Sequence, residues 1–120
     1  MTAKEEDFTV LCAWIPEGID ELVADIINKQ TEKISPDDWQ LLQPDTYLFF
    51  FRQKRNGAAR AETAIALLES TRNEHERLAA LRIGKAAGPL FADISWLGAV
   101  KSMPMGQAVT DAQKQTRAAA

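Results

Sequence analysis

Few side chains in this 120-residue sequence are of types that do chemistry, and their spacing narrows the choices further. His75 is the only histidine, so every Ser-His-Asp or Cys-His arrangement would have to use it. Glu74 and Glu76 flank it on other faces of a helical pattern, and no Cys, Asp or Glu stands at a recognised metal spacing. A helix-boundary residue is the simpler reading. Cys12 is the only cysteine; it lies in an apolar run, which excludes an internal disulfide and fits a small buried hydrophobe. Gly84 and Gly88 invite a phosphate-loop reading, but no strand–Gly-loop–Lys–helix pattern surrounds them. Asp45 follows Pro44 in a turn signal, where a lone carboxylate is more often a turn residue than a metal ligand. Lys114 precedes Gln-Thr-Arg at the end of a helical pattern and reads as a solvent-facing cation. No metal and no cofactor is expected from these residues.

The elements that must position them follow from hydrophobic periodicity. Residues 1–7 read as a charged, flexible start. Phe8 to Ile15 is continuously apolar and rich in β-formers, the pattern of a strand covered on both faces. Pro16-Glu17-Gly18 breaks it, and Ile19, Leu22, Val23, Ile26 and Ile27 then mark an amphipathic helix running to about Thr31. Ser35-Pro36-Asp37-Asp38 could cap a short helix. The following Trp39 to Gln43, the Pro44-Asp45 turn and Thr46 to Arg52 read better as a β-hairpin. Asn56-Gly57 marks a loop, and Ala58 to about Leu78 is the longest helix, its inner stripe ending in alanines. Leu81 to Ala87 is a strand, Gly88-Pro89 a turn or bulge, and Leu90 to Ile94 a further extended piece. Trp96 to Met103 is a loop with a short strand, and a last helix starts near Gly106. The order β-α-β-β-α-β predicts an α+β, ferredoxin-like antiparallel sheet with helices on one face. One domain is expected over 8–117, with 118–120 a tail.

Bulk composition excludes several function classes. The sequence is 46% hydrophobic and 26% charged, as in ordinary globules, and no apolar run approaches the ~20 residues that span a bilayer. The acidic MTAKEEDF start is unlike a signal peptide, so a cytoplasmic location is expected. Residues 1–45 carry a net charge of −8 and residues 46–120 one of +5. The basic half is spread out apart from Arg52, Lys54 and Arg55, and has no aromatic interleaving there, which argues against a nucleic-acid surface. Complementary halves would favour self-association, although a solvated, salt-screened surface explains the same numbers.

The stretch Leu81 to Ala112 resembles the second half of a class III nucleotidyl cyclase domain, and the resemblance extends over roughly Phe8 to Arg117. Phe8-Thr-Val-Leu-Cys-Ala-Trp-Ile-Pro16 is similar to the first strand of that family. Pro44-Asp45-Thr46 stands where its Gly-Asp-Gly turn would be, before the apolar strand Tyr47 to Phe51. Arg82-Ile83-Gly84 with Gly88 matches an "RIG…G" strand and turn, and Gly106-Gln-Ala-Val-Thr-Asp-Ala112 a "GDAVNLAAR" helix entry.

The resemblance implies a site as well as a fold, and most of the site is replaced. Adenylyl and guanylyl cyclases use two aspartates to bind two divalent metals; here the first position falls on Trp14, and Asp45 keeps the second. The Asn–Arg pair that serves the transition state maps to Thr110 and Lys114, and Lys114 lacks the bidentate fork suited to phosphate. The base-recognising Lys falls on Leu41 and its acidic partner on Met103, both apolar. The family's closing hairpin after the last helix has no counterpart here. These replacements imply a catalytically inactive cyclase-homology module that self-associates or binds a regulatory partner or ligand. A homodimer or a complex with a related protein is expected, its interface near Trp39, Leu41, Trp96 and Met103. Two alternatives stay open: a residual or heteromeric cyclase, since the family's site lies between two chains, and a generic ferredoxin-like binding domain. A worn diguanylate cyclase would be an instance of the last, although its Gly-Gly-Asp/Glu-Glu-Phe turn does not occur.

Overall fold

The computed structural model describes residues 4–95, 98–100 and 102–118. Its elements are β1 (Lys4–Trp14), α1 (Glu21–Ile34), β2 (Asp38–Leu42), β3 (Thr46–Arg52), α2 (Gly57–Glu74), β4 (Arg82–Ala92) and α3 (Gln107–Ala118), with single 3₁₀ turns flanking α2. The four strands form one antiparallel sheet in the order β2-β3-β1-β4. This is the expected βαββαβ order, with α1 and α2 on one face of the sheet; α3, added after β4, lies on the other face, where no helix was expected.

Alternation along the strands sorts the core into two layers. Leu11 and Ala13 of β1, with Ile15 just beyond it, point with Tyr47, Phe49 and Phe51 of β3 toward α1 and α2, which contribute Val23, Ile27, Ala61, Ala64 and Leu68. Phe8, Val10 and Cys12 point the other way with Leu48 and Phe50, and α3 covers them with Ala108, Val109 and Ala112. Both central strands are buried on both faces, which is why they read as continuous apolar runs. The alanines of α2 let its backbone approach the sheet, as their spacing suggested.

Glycine decides how closely α3 sits. A Cβ on Gly84 would lie 2.5 Å from both the Ala112 carbonyl oxygen and the Thr116 nitrogen. Gly84, Ala86 and Gly88 therefore form a stripe of small residues on β4, and Ala108, Ala112 and Thr116 of α3 rest on it. The "RIG" motif is in this way the seat of a helix.

Two local expectations are corrected. Gly88-Pro89 is no turn: β4 runs unbroken from Arg82 to Ala92, because it is an edge strand and the missing Pro89 N–H needs no ladder partner there. The flexible start was drawn too long, since β1 begins at Lys4 and Lys4 to Asp7 pair with Pro89 to Ala92. Among the described residues no helix is long and apolar enough to cross a membrane.

Candidate functional site

Trp14 ends β1 and Asp45 sits in the β2–β3 turn. Two backbone hydrogen bonds fasten that turn to the chain leaving β1, from Ile15 N–H to the Asp45 carbonyl (2.9 Å) and from Ile19 N–H to the Pro44 carbonyl (2.8 Å). The two side chains are thereby brought into contact. Trp14 Nε1–H donates to Asp45 Oδ2 at 3.0 Å, and Thr46 Oγ1 donates to Asp45 Oδ1 at 2.9 Å. Trp14 is half-buried on the α3 side of the sheet, and the Arg117 guanidinium lies over its ring, 4.6 Å from the centroid. Next to it on the same face, Cys12 is fully buried, its sulfur 3.9 Å from Thr116 Oγ1, and burial pushes its thiol up to about 11. Such a thiol stays protonated and inert at neutral pH.

These are the two positions that the resemblance assigns to metal carboxylates, and the residues present do not fit a pair of divalent metals. Hard cations need several anionic or neutral oxygen ligands. Here one ligand position is an indole donor, and each oxygen of the remaining carboxylate already accepts a hydrogen bond. Among the described residues, no group of three or more His, Cys, Asp or Glu could hold a metal ion.

A shallow cleft of about 280 Å³ adjoins this corner, between the chain leaving β1, the first turn of α1 and the Pro44 turn. Its charge does not suit an anion. Asp20 caps α1, accepting from Val23 N–H at 2.9 Å, and its other oxygen pairs with Arg77. A carboxylate thus already takes up the positive end of the α1 dipole.

The remaining expected site residues are scattered. Thr110 and Lys114 are exposed one turn apart on α3. Leu41 is half-buried on the α1/α2 face opposite Tyr47, whereas Met103 packs against the α3 face. The register puts Leu42, not Leu41, on the side of Met103, so Leu41 and Met103 are not brought together. Trp39 is 39% exposed and its ring lies 5.9 Å from that of Tyr47, on the Leu41 side. Trp96 lies outside the described residues.

Sequence reasoning missed two things. Arg117 draws no attention at the end of the last helical pattern, yet it covers the Trp14 ring. Arg52 was read with Lys54 and Arg55 as a loose basic group, yet its side chain is only 5% exposed. It forms a bidentate pair with Glu6 (2.5 and 2.8 Å) and donates to the Gly98 carbonyl at 2.7 Å. The signal was available: Arg52 closes the run Tyr47 to Phe51 and therefore starts from a buried backbone.

No protein-family model and no curated protein matches the chain, but solved structures share its fold. The monomeric guanylyl cyclase domain of the RhoGC fusion protein from the aquatic fungus Blastocladiella emersonii superposes with a TM-score of 0.68 at 17% identity, covering 98% of this chain and 78% of that one. The catalytic core of a rhodopsin-guanylyl cyclase with converted specificity, in complex with ATPalphaS, gives 0.68 at 15% identity over 96% and 74%. A bacterial light-regulated adenylyl cyclase gives 0.60 at 16% identity over 98% and 41%. The superpositions take in nearly the whole chain, and this chain has the fold of a class III nucleotidyl cyclase catalytic domain.

Proposed function

We propose that this chain is a catalytically silent cyclase-fold module that works by associating with a copy of itself or with another protein. The hydrogen bond from Trp14 Nε1 to Asp45 Oδ2 carries the reading, because it joins to each other the two positions from which metals would otherwise be held. Three further features support it: the apolar character of Leu41 and Met103, the carboxylate already at the α1 N-terminus, and the loss of a guanidinium at Lys114. Metal charge, base readout and the guanidinium each lower a barrier independently, typically by about 2–4 kcal/mol. Their joint loss takes turnover into background.

Association has surface to work with. Trp39 and Leu41 form one apolar patch, and Phe91 and Met105, 57% and 58% exposed and joined by an isolated β-bridge, form another. A module without chemistry that keeps such patches is suited to docking.

The test is incubation of the purified chain with ATP or GTP and manganese, with its mass followed in parallel by sedimentation. The expected result is no cyclic nucleotide above background and a mass that rises with concentration or on adding a partner. Manganese-dependent turnover abolished by Asp45→Ala would overturn the reading. The exposure of Thr110 and Lys114 on one side of α3 favours a second reading, in which they complete a site on another cyclase chain. Product formed only in such a mixture, and lost with Lys114→Ala, would identify it.

A further inference from the structure

The sheet has two edges, and they are not alike. β4 is guarded. Pro89 interrupts its donors, Lys85 projects from it and pairs with Glu62, and the Phe91 end is closed by two backbone hydrogen bonds with Met105 (2.8 and 3.0 Å). Such devices keep an edge from pairing with another strand. β2 carries none of them: Asp38-Trp39-Gln40-Leu41-Leu42 has no Lys, no Pro and, among the described residues, no strand beyond it.

The surroundings of β2 are acidic. Glu21, Asp25, Asn28 and Glu32 recur at helical spacing and line one side of α1; Lys29, one turn from Asp25 and Glu32, and Lys33 lie on the flank away from the groove beside Trp39. A groove of about 510 Å³ separates that side from Trp39, with Asn28, Glu32, Ser35 and Pro36 in its walls. On the opposite face of the same strand, Asp38 Oδ2 is buried with no hydrogen-bond partner among the described residues. Burial raises the Asp38 carboxyl above its ordinary value. An unpartnered carboxylate oxygen is costly, and a cation beside it removes the cost.

We infer that β2 is a docking edge for an extended, basic segment of an unlike protein partner. The segment would add a fifth strand, set an apolar side chain against Trp39 and place Lys or Arg near the α1 acids and Asp38. A second copy of this chain fits poorly at this edge. A two-fold pairing of β2 with itself would turn the acidic sides of two α1 helices toward each other, and like charges so placed select against self-pairing. This inference rests on the reading of the chain as an association module and names its partner. The cyclic-nucleotide assay tests that reading separately.

The probe is a capped peptide, Lys-Val-Lys-Val-Lys-Val-Lys, with a Glu-for-Lys version as control, added to the ¹⁵N-labelled 120-residue chain. The expected result is slowed amide exchange across Trp39 to Leu42 and a shifted Trp39 indole signal with the Lys peptide alone. Asp25→Lys combined with Glu32→Lys, both exposed, should weaken binding by about ten-fold, or ~1.4 kcal/mol, with the melting temperature retained. Trp39→Ala should weaken it on the apolar side. Equal binding of the Glu peptide, or protection confined to β4, overturns the inference. So does a dimer in sedimentation that itself protects β2 and excludes the peptide, since the occupant is then a second copy.

Discussion

The two ends of the β1–β3 pair put opposite chemistry on one scaffold. At one end, beside Trp14 and Thr46, a single carboxylate accepts from two uncharged donors, and Arg117 lies over the Trp14 ring. At the other, beside Phe8 and Arg52, charge is dense and ion pairs link the elements. Glu6 grips Arg52, Lys54 adds a contact at 3.4 Å, and Asp37, only 5% exposed, accepts from the Arg52 backbone N–H and from Arg55 and Arg60. Buried charge in this chain persists where it ties elements together. At the Trp14–Asp45 corner, ring packing and one indole-to-carboxylate hydrogen bond make the tie instead. One sheet is thus tied at its two ends by different means, ion pairs at one and an indole-to-carboxylate hydrogen bond at the other.

The largest expected effect lies at the charged end. Glu6→Gln leaves the nearly buried Arg52 guanidinium without its counter-charge, and breaking such a pair costs about 3 kcal/mol, the low end of the usual range because Glu6 keeps some exposure. A denaturant midpoint measures it. The wild-type pair also has a pH signature. The Arg52 hydrogen bond holds the Glu6 carboxyl below its ordinary value of 4.5. Its stabilisation is therefore complete above that value and is lost as pH falls through the lower folded one. Glu6→Gln should flatten that part of the acid limb, and an unchanged limb would mean the pair contributes nothing.

A smaller effect belongs to the other end. Trp14→Asp removes a half-buried ring and sets two carboxylates together, at a cost of roughly 2 kcal/mol, about half of a full aromatic deletion. Manganese should recover part of that loss in the mutant, because two adjacent carboxylates now suit a cation, and should leave the wild-type melting temperature unchanged. Wild-type stability that rises with manganese would remove the contrast between the ends.

The fold was legible in the sequence for physical reasons that can be named. The hairpin of β2 and β3 follows from Pro44-Asp45 between apolar runs, and α1 from its 3.6-residue stripe. β4 was misread because Gly-Pro is a strong local turn signal, and only its place at the sheet edge makes Pro89 acceptable. The candidate site was half legible: the resemblance singles out Trp14 and Asp45, one position replaced and one kept, but their mutual hydrogen bond needs the three-dimensional turn. Leu41 was set beside Met103 although a one-residue step along a strand changes the face. No local pattern could announce that Arg117 would fold back over Trp14.

Manganese titration followed by electron paramagnetic resonance tests the central claim most directly, comparing the wild-type chain with Trp14→Asp and Asp45→Ala at equimolar metal. If Trp14 and Asp45 are committed to each other, the free-manganese signal stays at full strength with wild type and with Asp45→Ala, and falls with Trp14→Asp. Stoichiometric loss of the signal with wild type, restored by Asp45→Ala, would show a working metal site and contradict the account.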